Sequence, residues 1–340
     1  MTELLRIPGD PRVASPARRP WSRVALVAAL AATVPLFIGA EHLVRGPDST
    51  LAWCTAAAVP ADNLESVSAP DARRCGLEGK TITYDGIAAV VPEAGTAVAA
   101  SAVTTDGELE LVVDHAADGS VRVHGHHVTA QPAVLVPAAT TSSTCGDGTY
   151  KHLGYRAGKT YQWYYNPKNR PNSVTGTAES AIVAATSSVF AGRNRCGQPA
   201  DLKVSQKYLG KNWRHAQIDS AGTCTGNDGW NVASWARLDK ALGIACTYYS
   251  GGTGTRYVLA SDMVLNYSAS WFTTKPSGCR RGTDLQSVVV HERGHTLGLG
   301  HVDPRYHPGQ VMTTTIPSCT YKRLLGLGDY RGLVRLYGHR

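Results

Sequence analysis

The sequence predicts an α+β protein: a mixed twisted sheet with three helices in its C-terminal part, preceded by a small β-rich module. Three observations carry that expectation. Short apolar runs alternate with turn signals between Thr81 and His127. After Tyr155, helix-spaced and strand-spaced apolar patterns interleave. The charge also changes sign: residues 41–144 carry 5 Lys and Arg against 13 Asp and Glu, a deficit of 8, whereas residues 145–340 carry 24 against 11, a surplus of 13. A chain of 340 residues has room for about two domains. Its 18% charged and 43% hydrophobic residues exclude a charge-rich disordered chain, a coiled coil and a multi-span membrane protein. The basic residues of the second part are scattered, with no run longer than Arg280-Arg281. Tracking phosphates needs a clustered stripe, so no nucleic-acid partner is expected.

Residues 1–40 read as a leader. Val24–Ala40 is an uncharged stretch of 17 residues behind Arg18, Arg19 and Arg23. Pro35 and the small residues Gly39-Ala40 suit a cleaved signal peptide, whereas the long basic flank and near-spanning length suit a signal anchor through residues 24–40. Either reading delivers the remainder outside, secreted or anchored at the outer face of the plasma membrane. In an oxidising compartment eight cysteines read as four disulfides. The expected pairs are Cys54–Cys75, Cys145–Cys196, Cys224–Cys246 and Cys279–Cys319, each within its own module.

The acidic module spans residues 41–128. Its ELELVVDHAADGSVRVHGH segment reads as a hairpin about Asp118-Gly119. Residues 129–144, rich in Ala, Pro, Thr and Ser, read as a linker. The basic module, 145–340, opens with a strand at Tyr155–Tyr165 and a long helix at Ser173–Phe190 that stops at Gly192. Strands follow at Asn231–Trp235, Leu242–Tyr249 and Tyr257–Tyr267. A second helix runs from Thr283 to about Gly298, with Thr283 and Gln286 placed as a capping box. A third spans Leu327–Tyr337.

The second helix carries the chemistry: His291-Glu292-Arg293-Gly294-His295-Thr296-Leu297-Gly298-Leu299-Gly300-His301. Residues four apart share a helix face, so His291 and His295 can address one ion, with Glu292 beside them to reach a water. Gly298 can adopt positive φ, ending the helix and returning the chain so that His301 becomes a third ligand. Three neutral imidazoles leave the fourth tetrahedral position open, as a catalytic Zn2+ requires. The metal would bring its water's pKa to about 7, and Glu292 would take the proton and pass it to a leaving amine. For this composition HExxH arises by chance in roughly one such sequence in a hundred; with the following Gly and His fixed, in about four in a hundred thousand.

The HExxHxxGxxH string, with Val311-Met312 downstream, resembles the zinc signature and Met-turn of the metzincin metalloendopeptidases, and most closely their matrixin-type members, including secreted bacterial ones. LGIACTYY at Leu242–Tyr249 resembles their substrate-pairing edge strand, SDMVLN at Ser261–Asn266 its neighbour, and LGLGDYRGLVRLYG at Leu325–Gly338 their last helix. The likeness covers residues 146–340. It implies a matrixin-like catalytic domain with His291, His295 and His301 on one catalytic Zn2+, Glu292 as acid/base and Met312 as a floor beneath the metal. Gly243 and Ala245 would pair with substrate. Thr314 stands where astacin- and serralysin-like members have Tyr. Asp303, two past His301, is the alternative third ligand; His301 sits at the matching position and is preferred. Arg293 replaces a usually apolar residue and is expected to reach solvent or pair with an acid. Neither a structural-zinc site nor an acidic loop for Ca2+ is legible.

The implied activity is zinc-dependent hydrolysis of internal peptide bonds, with protein or peptide substrates, by a monomer. The alternative is a non-catalytic, zinc-stabilised extracellular binding or adhesion module. The acidic module reads as a propeptide docked on the basic domain, a spacer, or a target binder. Arg74-Cys75-Gly76 echoes the segment by which matrixin propeptides place a thiolate on zinc, but that use would leave Cys54 unpaired, so the disulfide reading is preferred. His124, His126 and His127 read as an exposed trio.

Overall fold

The acidic part folds as the alternation suggests, through tight turns. The computed structural model describes residues 52–104, 107–129, 145–158 and 160–340; the leader residues 24–40 and linker residues 130–144 lie outside them. Among the described residues no helix is long and apolar enough to cross a membrane. Strands β1 (Ala58–Pro60) and β2 (Ser66–Val67) precede the short helix α1 (Ala69–Arg74). Ser68 caps α1 by accepting from the Asp71 N–H. Strands β3 (Thr81–Tyr84) and β4 (Ile87–Val90) are joined by Asp85-Gly86, with φ of 43° and 97°. Two successive positive φ values give the turn whose twist matches a hairpin. Strands β5 (Thr96–Thr104), β6 (Gly107–His115) and β7 (Val121–Thr129) form an antiparallel meander. The expected turn at Asp118-Gly119 joins β6 to β7, with Ser120 N–H donating to Asp118 Oδ1 at 2.8 Å.

The basic part supplies β8 (Lys151–His152), β9 (Tyr155–Arg156), β10 (Thr160–Tyr165), α2 (Ala178–Ala191), β11 (Ser205–Lys211) and β12 (Thr223–Cys224). Then come β13 (Val232–Ala236), β14 (Ala241–Ser250), β15 (Arg256–Asn266), β16 (Trp271–Phe272), β17 (Thr283–Asp284), α3 (Leu285–Thr296), β18 (Leu299–Gly300) and α4 (Leu327–Tyr337). The strand expected over 155–165 is divided into β9 and β10. The helix expected from Ser173 begins at Ala178, after a 3-10 turn at Asn172–Val174 and the helix-breaking Gly176, and ends on Gly192 with φ of 75°. The cap of α3 is Asp284, not Thr283. Thr283 is taken up in pairing β17 with β16, and Asp284 accepts from the Ser287 N–H at 3.0 Å and its hydroxyl at 2.7 Å.

Among the described residues the main sheet runs β11-β10-β13-β15-β14-β5-β6-β7-β2, with β9 also on β15. From β11 to β15 it is parallel; β14 onward is antiparallel. One side packs helices α2 and α3, burying Ile182, Val189, Phe190, Val288 and Val289 with Trp163 and Met263. The other side buries Leu109, Leu111 and Val113 of β6 together with Ile244, Tyr248 and Val264 of the basic part. Each such side chain contributes roughly 1.5–3 kcal/mol by leaving water. The described residues therefore pack as one unit, with a core drawn from both charge halves. All four disulfides join the expected pairs.

Candidate metal centre

Helix α3 places His291 and His295 one turn apart with both rings buried. It ends at Thr296 with Leu297 as its cap, and Gly298 (φ of 91°) turns the chain back through β18 to His301. A Cβ at Gly298 would lie 2.1 Å from the Tyr155 carbonyl oxygen, so both backbone angle and space demand glycine. The Val302 N–H then donates to the Met312 carbonyl at 2.9 Å, drawing Met312 beneath the helix. There its sulfur lies so close that a Cβ at Gly294 would be 2.3 Å from it.

Second partners fix the imidazole tautomers. His291 Nδ1–H donates to the Val311 carbonyl at 3.0 Å and His295 Nδ1–H to the Leu299 carbonyl at 2.9 Å, leaving both Nε2 lone pairs aimed inward. His291 and His295 Nε2 are 3.2 Å apart, and His301 Nε2 is 2.5 Å from His295 Nε2. Burial lowers His291 to about 4 and holds His295 and His301 well below the usual range, so all three are neutral. Lone pairs converging without a proton between them repel, and a cation among them removes that repulsion.

A fourth donor enters from the acidic part. Glu108 Oε1 lies 3.2 Å from His291 Nε2, 3.3 Å from His295 Nε2 and against His301 Nε2. These four donor atoms all lie within 4.8 Å of one another. Three imidazoles and a carboxylate suit Zn2+, so the residues present fit that ion. Glu110 Oε2 faces His301 Nδ1 at 3.5 Å. Glu108 was not among the residues expected at the site. Its signal in the sequence is faint: in Gly107–His115 the apolar Leu109, Leu111 and Val113 share one face, leaving Glu108 and Glu110 together on the other.

Glu292 is fully buried beside the imidazoles, and neither of its oxygens makes a well-formed hydrogen bond. Burial raises its pKa to about 8, against the lowering influence of the Val103 N–H on β5 and of Arg293. Arg293 is also fully buried, correcting the expectation of a solvent-reaching side chain. It donates to the Tyr161 hydroxyl at 2.6 Å, and its guanidinium lies 5.1 and 5.2 Å from the Tyr161 and Trp163 ring centres. Those aromatic faces, closing over the guanidinium, explain the arrangement.

The strand holding Gly243 and Ala245 is not an edge. Strand β5 pairs along β14 from Ala241↔Thr104 to Ser250↔Thr96, setting Val103 opposite Gly243 and Ser101 opposite Ala245. The expectation of a free edge is overturned because a strand from far upstream saturates the ladder. A Cβ at Gly243 would sit 3.0 Å from Glu292 Oε1, so the strand passes close over the candidate base. Asp303 is engaged by Arg305 and stands outside the donor cluster. Cys75 is bonded to Cys54 and unavailable as a thiolate. His124, His126 and His127 are exposed, with His127 against Asp85. Asp329, which sequence reasoning passed over, holds the Met312 segment by accepting from the N–H groups of Val311 (2.5 Å), Met312 (3.3 Å) and Gly326 (2.9 Å).

Two imidazoles and a glutamate on one helix, a third imidazole delivered by a glycine turn, and a methionine beneath them make this a metzincin-class site. Residues 206–338 match the matrixin family model, so this part of the chain is similar to the matrixin-type metzincins. A segment of 55 residues is 46% identical to Metalloendoproteinase 1 of Glycine max, covering 16% of this chain and 17% of that protein. The chain thus matches about a sixth of that relative's length. The family match begins at 206, downstream of α2, whereas the likeness was expected from residue 146.

Proposed function

We propose that the matrixin-like domain is a zinc-dependent endopeptidase that cleaves internal peptide bonds of proteins. One observation carries the reading: Glu292 is a buried carboxylate without a well-formed hydrogen bond, beside three neutral imidazoles whose lone pairs converge. His291, His295 and His301 would hold the ion. When bound, zinc supplies Lewis-acid polarisation of a carbonyl and makes a water acidic near pH 7. Glu292 accepts the proton of the attacking water and returns it to the leaving amine. Its place beside the imidazoles, closed off from solvent, suits both halves of that exchange. Only with β5 removed from β14 would the main chain of Gly243 and Ala245 be open to an extended substrate by β-augmentation. A module that only bound zinc would gain nothing from burying such a carboxylate beside it. Four disulfides support an extracytoplasmic location.

The test is Glu292→Ala, assayed with a quenched peptide on the full chain before and after limited proteolysis, with a chelator control. Cleavage is expected to fall by about 100- to 10,000-fold while zinc stoichiometry is kept. Cleavage at the parent rate would overturn the mechanism.

A further inference from the structure

We propose that residues 58–129 hold the enzyme latent through a carboxylate: Glu108 closes the three-histidine metal site while β5 takes the substrate's place on β14. The inference rests on the endopeptidase reading above, and it identifies an inhibitory ligand within the chain itself.

Two independent contacts support it. The first is chemical. Glu108 Oε1 stands among the three Nε2 atoms, where an open catalytic site would admit water or a scissile carbonyl. Its second oxygen makes no hydrogen bond, and the side chain is buried. Its buried carboxylate and the three imidazole nitrogens together make a donor set for a cation. Bound to one, Glu108 becomes the fourth ligand. No thiol is placed to serve instead: Cys75 is bonded to Cys54, and there are no free cysteines among the described residues.

The second contact is the strand ladder. Extended peptides can dock by adding a strand to a sheet, and β14 passes close to Glu292 at Gly243. Along its whole length β14 is hydrogen-bonded to β5, so no substrate can pair there while β5 remains. The two contacts meet at the β5–β6 corner, where Val103 pairs with Glu108. Val103 borders Glu292, so one corner covers both the base and the metal.

No disulfide joins residues 50–129 to residues 145–340, so cutting the linker at 130–144 leaves only non-covalent contacts. The opposite charge of the two parts, a deficit of 8 against a surplus of 13, favours their association until then.

The test uses the full chain loaded with Co2+, whose visible absorption reports its ligands. In the parent chain the bands are expected to ignore acetohydroxamate. In Glu108→Ala and the near-isosteric Glu108→Gln they should shift saturably, and both variants should hold zinc at least about tenfold more weakly. A full chain carrying a site-specific protease sequence within 130–144 should turn over a quenched peptide at least about a hundredfold faster once cut and diluted, because an intramolecular occupant acts at millimolar effective concentration. Parent bands that respond to acetohydroxamate as the variants' do, or an intact chain as active as the cut one, would overturn the proposal. Altered spectra with no turnover in any form support the Glu108 ligation and instead remove the endopeptidase reading.

Discussion

Gly298 shows how much of the site rests on one backbone angle. Any side chain there must adopt φ of 91° and also displace the Tyr155 carbonyl, 2.1 Å from the new Cβ. Tyr155 in turn donates its hydroxyl to the His295 carbonyl at 3.0 Å, so the disturbance reaches a ligand directly. Gly298→Ala is expected to cost at least about 1–3 kcal/mol and to weaken zinc binding through a misplaced His301. Gly229→Ala is the control: φ is 76°, and nothing lies within 4 Å of its Cβ. Calorimetry and zinc titration should show both variants losing stability and only Gly298→Ala losing affinity; equal zinc affinity in the two would defeat the argument. The three imidazoles and Glu292 were legible because eleven consecutive residues encode their geometry. Glu108 was not, because it reaches His291 across 183 positions and only after the module docks. Arg293 was misread for a related reason: a charged residue on a helix reads as exposed unless the rings of Tyr161 and Trp163 are known to meet it.

Among the elements, those with strong local periodicity matched: β13, β15 and α4 begin and end within a residue of their expected bounds. The status of β14 did not match. Its near-continuous apolar run and wholly buried pattern through Tyr249 are what a strand paired on both sides requires, and a freely exposed edge would carry more polar residues. Strand β15 presents a different device, because Asp262 ties it to its surroundings by side chain. Its carboxylate accepts from the Val232 N–H at 2.8 Å and the Gln217 N–H at 2.7 Å. Burial nevertheless raises its pKa to about 7, the two accepted bonds pulling the other way. An acid whose native pKa exceeds its unfolded value, about 3.9, holds its proton longer in the folded state. Stability is therefore expected to fall as pH rises from about 4 to about 7 and then level off, with a contribution on the order of 4 kcal/mol from this residue. Asp262→Asn loses one accepted bond, about 1 kcal/mol, and should be less stable than the parent at pH 4. Its melting temperature should then decline less steeply with pH, narrowing the gap by pH 8. Parallel melting curves for the two proteins would show that Asp262 does not titrate in this way.

For the whole molecule, the shared core makes the two charge halves one thermodynamic object. Leu109, Leu111 and Val113 from the acidic part pack with Ile244, Tyr248 and Val264 from the basic part, and the main sheet crosses between them at β5–β14. Neither half can unfold without exposing the other's apolar surface, so residues 50–340 are expected to melt in one cooperative transition. The metal should act on the same transition, since its four candidate ligands come from both halves: Glu108 from one, His291, His295 and His301 from the other. A ligand bound only to the native state at 1,000 times its dissociation constant adds about 4 kcal/mol. At about 2–4 °C per kcal/mol for a chain this long, chelation should lower the single melting temperature by roughly 8–16 °C. Hydrogen exchange locates the effect: removing zinc should weaken protection of the β6 amides together with those of α3, because Glu108 and the histidines release one ion. Two resolved transitions, or exchange in α3 that changes while β6 stays fixed, would mean that the acidic part rests on the sheet without sharing the metal.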